Sequence, residues 1–115
     1  MHRPHRLRRR QDFAAVYRTG AAHARGELVV RVRPNPEVSR PRFGFAVGRK
    51  VGSAVIRNRV RRRLREAARL SDASGGADVV VIARARAGAA SYQELERTLR
   101  ALLRAAGLLP KKEPL

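Results

Sequence analysis

The sequence predicts an α+β sandwich, a single domain with its elements in the order α-β-β-α-β-α. Three observations predict it. The chain has 115 residues, the length of one domain with one small core. Segments 27–33 and 42–48 alternate apolar residues with others, the period of a strand covered on one face. Segments 54–70 and 91–106 instead carry apolar residues at helical spacing. Helices of this kind pack their stripes against a sheet.

Taken in order, residues 1–10 read as a basic arm, with Arg6, Arg8, Arg9 and Arg10 among its cations. Gln11 to Thr19 reads as a short helix, because Phe13, Val16 and Tyr17 fall at i, i+3 and i+4 and share one face. Gly20 is placed to cap its end. In 27–33, Leu28, Val30 and Val32 point one way and Val29, Arg31 and Arg33 the other. This first strand region has room to split in two. Pro34, Pro36 and Pro41 bracket a loop. In 42–48, Phe43, Phe45 and Val47 share a face, and Gly44, Ala46 and Gly48 share the opposite one. Pairing of these two strands would give a half-covered sheet with an open, partly cationic side. Small residues on that side would leave room for a bound strand.

Residues 54–70 form the next helix, with Ile56, Val60, Leu64 and Ala67 as a narrow apolar stripe. Ser74, Gly75 and Gly76 mark a loop. Val79 to Ala83 is continuously apolar, as in a strand covered on both faces. Ser91 and Glu94 are spaced as a capping box. Leu95, Leu99, Leu102, Leu103 and Ala106 then form a strong helical stripe, ended by Gly107 and Pro110. The domain spans 11–107, followed by a tail, 108–115. There is no internal repeat.

Charge points to the partner. Lys and Arg number 27 against 9 acids, a net +18. Residues 1–70 hold 20 basic and 4 acidic side chains; residues 71–115 hold 7 and 5. Such self-repulsion adds nothing to fold stability and implies a polyanion. The absence of cysteine excludes disulfides, thiol catalysis and Cys-based zinc sites. No apolar run approaches the about 20 residues of a membrane span, and Met1 to Arg10 lacks the apolar core of a secretory signal. A cytoplasmic protein without a membrane partner is expected. His2, His5 and His23 are scattered, whereas a metal site needs converging ligands. The acids form no pair suited to general acid–base work, and Ser53, Ser71 and Ser91 have no evident base. No catalytic residue, metal or cofactor is therefore expected on this chain.

The strongest motif is Ile56-Arg57-Asn58-Arg59-Val60-Arg61-Arg62-Arg63-Leu64-Arg65. Arg57, Arg61 and Arg65 stand at i, i+4 and i+8, where like charges destabilise an isolated helix. Asn58, Arg62 and Arg69 form a further stripe, and only Glu66 is near enough to neutralise any of this. A phosphate-binding helix accounts for the crowding, and Asn58 can add a hydrogen bond to a base edge or 2′-hydroxyl.

Val47-Gly48-Arg49-Lys50-Val51-Gly52-Ser53-Ala54-Val55-Ile56-Arg57-Asn58-Arg59 closely resembles the signature of the bacterial ribonuclease P protein family: an Arg-Asn-Arg element opening a basic helix, after a strand and a basic turn. Leu7, Asp12-Phe13 and Gly20 resemble that family's first helix, and Val79 to Arg84 its last strand, so the likeness covers residues 6 to about 106. It implies a left-handed strand–helix–strand crossover, against the usual rule. It also implies a subunit of an endoribonuclease whose RNA performs magnesium-dependent cleavage of the 5′ leader from precursor tRNA. The partners would be the catalytic RNA and precursor tRNA, with no obligate protein partner.

On the implied surfaces, Arg49 and Lys50 with Arg57, Asn58, Arg59, Arg61, Arg62, Arg63 and Arg65 would contact the catalytic RNA or the tRNA near the cleavage site. A cleft of Phe13, Tyr17 and Arg31 would hold the leader, and the arm, Arg3 to Arg10, would add phosphate contacts. Phe13 and Tyr17 can stack on bases or pack as core; the hydroxyl of Tyr17 better tolerates water. Relatives often carry an aromatic residue where this chain has Arg31. Arg42 to Val47 also loosely resembles an RNA recognition motif, but the glycine after the basic residue and the final aromatic are missing. A ribosomal protein would share the charge and size. A major-groove DNA binder would usually be a dimer with paired half-sites, and no dimer surface is evident.

Overall fold

In the computed structural model, which describes residues 6–110, the order is α1 (Arg10–Thr19), β1 (Ala21–Arg25), β2 (Leu28–Pro34), β3 (Arg42–Val47), α2 (Ala54–Leu70), β4 (Ala77–Ala83) and α3 (Tyr92–Ala105). Short 3-10 turns occupy Arg49–Val51 and Ala85–Ala89. The class is α+β, and the strand read over 27–33 stays whole as β2, with β1 added before it. β1 and β2 form a hairpin in which Arg25 pairs with Leu28 around Gly26 and Glu27. Gly26 has φ +53°, a left-handed value suited to tight hairpin loops. Ala-Ala-His-Ala-Arg lacks the β-branched and aromatic residues that mark strands, which is why β1 has no sequence signal.

The two alternating strands do not pair with each other, contrary to the simplest arrangement. The sheet order is β1-β2-β4-β3; β4 runs antiparallel to β2 and parallel to β3. β4 takes an interior place because Val79, Val80 and Val81 are all fully buried and need cover on both faces. Parallel neighbours cannot be joined by a tight turn, so α2 forms the crossover between β3 and β4.

One face carries the main core. Leu28, Val30, Phe43, Val47, Val79 and Val81 meet Val60 and Leu64 of α2 and Leu95, Leu99 and Leu103 of α3. The other face carries a smaller one, where Leu7, Val16 and Val80 are joined by the partly buried Phe13, Ala46 and Ile82. This face is less open than the sequence suggests. A Cβ on Gly44 would overlap the Phe13 ring, so Phe13 fills the space expected to receive a bound strand. Leu7, in the segment read as an arm, is buried. Its N–H donates to the Phe43 carbonyl at 2.9 Å, closing the outer edge of β3. Leu108, in the segment read as a tail, is also buried.

Capping agrees with the sequence. The Ser53 hydroxyl accepts from the Ile56 N–H, and Ser91 and Glu94 form the full capping box of α3. Gly107 at φ +82° ends α3: its N–H donates to Arg104, and that of Leu108 to Leu103, a Schellman motif. Gly20 caps α1 in an extended conformation, and a Cβ there would strike the Val16 carbonyl.

Candidate nucleic-acid interface

Sheet register decides what remains open on the α1 face. Arg31, Val80 and Gly44 lie in one row with Ala22, and α1 covers the Val80 and Gly44 part of it. The adjacent row is Ala24, Val29, Ile82 and Ala46, in which none of the four is fully buried. It forms an aliphatic floor. At its β3–β4 end, Ala46 and Ile82 line a shallow hollow with Arg49, Lys50 and Arg84. The cations follow from topology: β3 and β4 are parallel, so the residues after both strands emerge on the same rim. Arg84 was missed by the sequence reading; its position just past an apolar strand is the signal that identifies it.

On the α1 side, Tyr17 is 42% exposed, although it shares a helix face with the fully buried Val16. The Arg31 guanidinium lies 6.0 Å from the Tyr17 ring centroid, within cation–π range. It donates to the Tyr17 carbonyl at 2.8 Å and the Gly20 carbonyl at 3.2 Å. These bonds satisfy carbonyls at the end of α1 and hold Arg31 in place. Phe13, Tyr17 and Arg31 are thus neighbours of unequal kind: Phe13 packs, whereas Tyr17 and Arg31 present surface.

The α1 N-terminus is pinned through a buried carboxylate. Asp78, 1% exposed, accepts from Arg42 Nε at 2.8 Å and Nη2 at 3.0 Å, and from the Asn35 amide at 3.2 Å. Arg42 also stands 3.8 Å from Asp12 of α1. The hydrogen bond to Asp78 holds the Arg42 guanidinium above its ordinary pKa, outweighing the effect of burial. Arg6, Arg8 and Arg9 line a hollow around Asp12, Glu37 and Arg42. Arg6, Arg8, Arg9 and Arg10 are all exposed. Arg3, His2 and His5 lie outside the described residues.

The arginines of α2 divide by flank. At 100° per residue, Arg57, Arg61 and Arg65 border one side of the buried Val60–Leu64–Ala67 stripe, and Arg59 and Arg63 border the other. Arg59 donates to the Gly88 carbonyl at 3.2 Å and Arg63 to the Ala90 carbonyl at 3.0 Å. These two clamp the loop after β4. Gly88 permits the close fit, since a Cβ there would strike the Val51 carbonyl. Arg61 donates to the Asn58 side chain at 2.9 Å. Arg57, Arg62 and Arg65 have no protein acceptor among the described residues, and the Nε atoms of Arg57 and Arg65 are out of solvent without a partner. The Nε atoms of Arg31 and Arg59 are likewise buried without a partner. Arg49 and Lys50, in the turn before α2, are exposed.

Among the described residues, no three His, Cys, Asp or Glu side chains converge to hold a metal ion. No helix among them is long and apolar enough to cross a membrane.

Known proteins match this chain along most of its length. A Symbiobacterium thermophilum protein named ribonuclease P protein component is 41% identical over 114 residues, which cover 97% of this chain and 99% of that one. The Staphylococcus aureus RNase P protein structure superposes with a TM-score of 0.82 at 30% identity, over 92% of this chain and 98% of that one. The Thermotoga maritima RNase P protein gives 0.78 at 31% identity, over 87% and 96%. The family model for ribonuclease P matches residues 1–107, and the chain belongs to the ribonuclease P protein family.

Proposed function

We propose that this chain binds the catalytic RNA of ribonuclease P and the 5′ leader of precursor tRNA, and so promotes removal of the leader. Family membership makes it a ribonuclease P protein subunit. The observation that best supports the finer reading is the division of cations on α2. Two arginines hold the protein together, while Arg57, Arg62 and Arg65 have no acceptor among the described residues. Guanidinium forks match phosphate oxygens, so this flank and Arg49 and Lys50 would grip folded RNA.

The leader would cross the aliphatic floor between Tyr17 with Arg31 on one side and Arg49, Lys50 and Arg84 on the other. A base can stack on Tyr17 while the cations take its phosphates. Ala46 and Ile82, rather than Gly44, supply the space. Among the described residues no three His, Cys, Asp or Glu side chains converge to hold a metal ion. Cleavage belongs to the RNA in this proposal, with magnesium held by RNA oxygens, and the protein lowers repulsion between two polyanions. The compartment would be the cytoplasm.

Cleavage of a leader-bearing precursor tRNA at low magnesium tests this, comparing protein alone, a bacterial ribonuclease P RNA alone, and both together. Efficient leader release only with both is expected. Cleavage by the protein alone would place an active site on this chain. Equal cleavage with and without protein would remove the leader-binding role.

A further inference from the structure

Val55 is the most exposed large apolar side chain among the described residues, at 76%, against 50% for Leu70. It occupies the second position of α2, beside the exposed Ala54 and Ser53. Helical spacing puts Val55, Asn58 and Arg62 at i, i+3 and i+7, on the side away from the buried stripe. Local physics does not ask for valine here. It is a poorer helix former than alanine or lysine, and a first turn favours acidic side chains, of which the first turn of α2 has none.

A lone exposed valine is ordinary on a protein surface. This one is set among arginines and an asparagine, at a helix end whose partial positive charge no acid offsets. That setting repels a basic protein and attracts a polyanion. A neutral branched side chain among phosphate-binding groups suits a polymer that alternates charged and uncharged surface. The shallow groove of an A-form helix does so, with ribose and base edges between its phosphate lines. We infer that Val55 is an apolar RNA contact, packing on ribose or a base edge of the RNA gripped by α2 and fixing its register by shape. The inference rests on α2 being an RNA-binding helix.

The test is titration of the full-length protein with a bacterial ribonuclease P RNA across a range of monovalent salt. Val55→Ala should weaken binding about three- to tenfold with the log–log salt slope unchanged, since loss of an apolar contact releases no counterion. Val55→Lys should also bind more weakly than the wild type despite its added charge. Arg62→Ala should weaken binding and reduce the slope by about 0.7 to 0.9. Thermal unfolding should be near wild type for all three. Wild-type affinity in Val55→Ala, or tighter binding with a steeper slope in Val55→Lys, would overturn the inference while Arg62→Ala still upheld the helix assignment. No effect of Arg62→Ala on affinity or slope would instead remove the α2 reading, and this inference with it.

Discussion

The Phe13 ring of α1 rests on the bare backbone of Gly44 in β3, filling the volume that the missing side chain leaves. Gly44→Ala should therefore push the ring and its helix away from the sheet. Overpacking of this kind typically costs about 1–3 kcal/mol, to be read from the urea midpoint. Because α1 also carries Tyr17, preference for leader-bearing tRNA should fall with it. An unchanged midpoint would show that Phe13 moves aside freely and that this contact does not fix α1.

Tyr17→Ala removes an exposed ring and leaves Val16 and both cores in place. Stability should change little. Discrimination between leader-bearing and mature tRNA should drop by the equivalent of about 1–3 kcal/mol, the worth of one stacked base. Arg31→Ala should weaken the same discrimination and also loosen the end of α1, whose carbonyls it holds. Equal affinity of Tyr17→Ala and the wild type for both RNAs, each measured at one fixed salt, would dismiss the proposed cleft.

Asp78→Ala should be among the most damaging single changes. It leaves Arg42, half-sequestered between β3 and α1, without its bidentate partner. Breaking one side of a buried pair costs about 3–5 kcal/mol. Equilibrium denaturation would measure it, and hydrogen exchange should show early opening of α1. Undiminished stability would mean that Asn35 and solvent replace the pair.

The two flanks of α2 should separate experimentally. Arg63→Ala and Arg59→Ala should lower the melting temperature, because each leaves a loop carbonyl without its donor; a lost hydrogen bond to a charged group amounts to about 1.5–3 kcal/mol. Arg57→Ala and Arg65→Ala should leave melting nearly unchanged but weaken binding to the catalytic RNA and flatten its salt dependence. Identical melting for all four variants would erase the distinction.

Glu94 offers a pH signature. Accepting the Ser91 backbone N–H, and helped by the Ser91 side chain, holds its carboxyl below the ordinary value of 4.5. A depressed carboxylate contributes stability above its unfolded pKa and loses it as pH falls through the lower, folded value. The wild type should therefore lose part of its advantage over Glu94→Gln once the pH drops below about 4.5. Denaturation midpoints of the two proteins, followed from pH 6 to pH 3, would keep a constant separation if the capping box were not formed.

Much of this fold is legible residue by residue. Ser53, Ser91 and Gly107 mark helix ends because capping is local chemistry. The Leu95–Leu103 stripe and the Val79–Val81 run declare their burial through periodicity. β1 is silent because its alanines are strand-forming only by virtue of β2. Phe13, Val16 and Tyr17 share one helical face, but spacing cannot say which of them meets Gly44, about thirty positions on. The arginines behave likewise. Their angular positions are readable, whereas the Gly88 and Ala90 carbonyls that capture Arg59 and Arg63 lie 29 and 27 residues away. Arg84 and the aliphatic floor emerge only once β3 and β4 are known to be parallel.

That parallel pair has an evolutionary consequence. The segment joining its strands is also the most cationic helix of the protein, so the surface proposed to recognise RNA is the same stretch of chain that closes the sheet. Selection cannot adjust grip on the nucleic acid by editing a dispensable appendage. Each added arginine burdens the central connection of the domain with further repulsion, and each one removed relieves it. On the proposed reading, affinity and foldability are thereby tied together in one seventeen-residue segment.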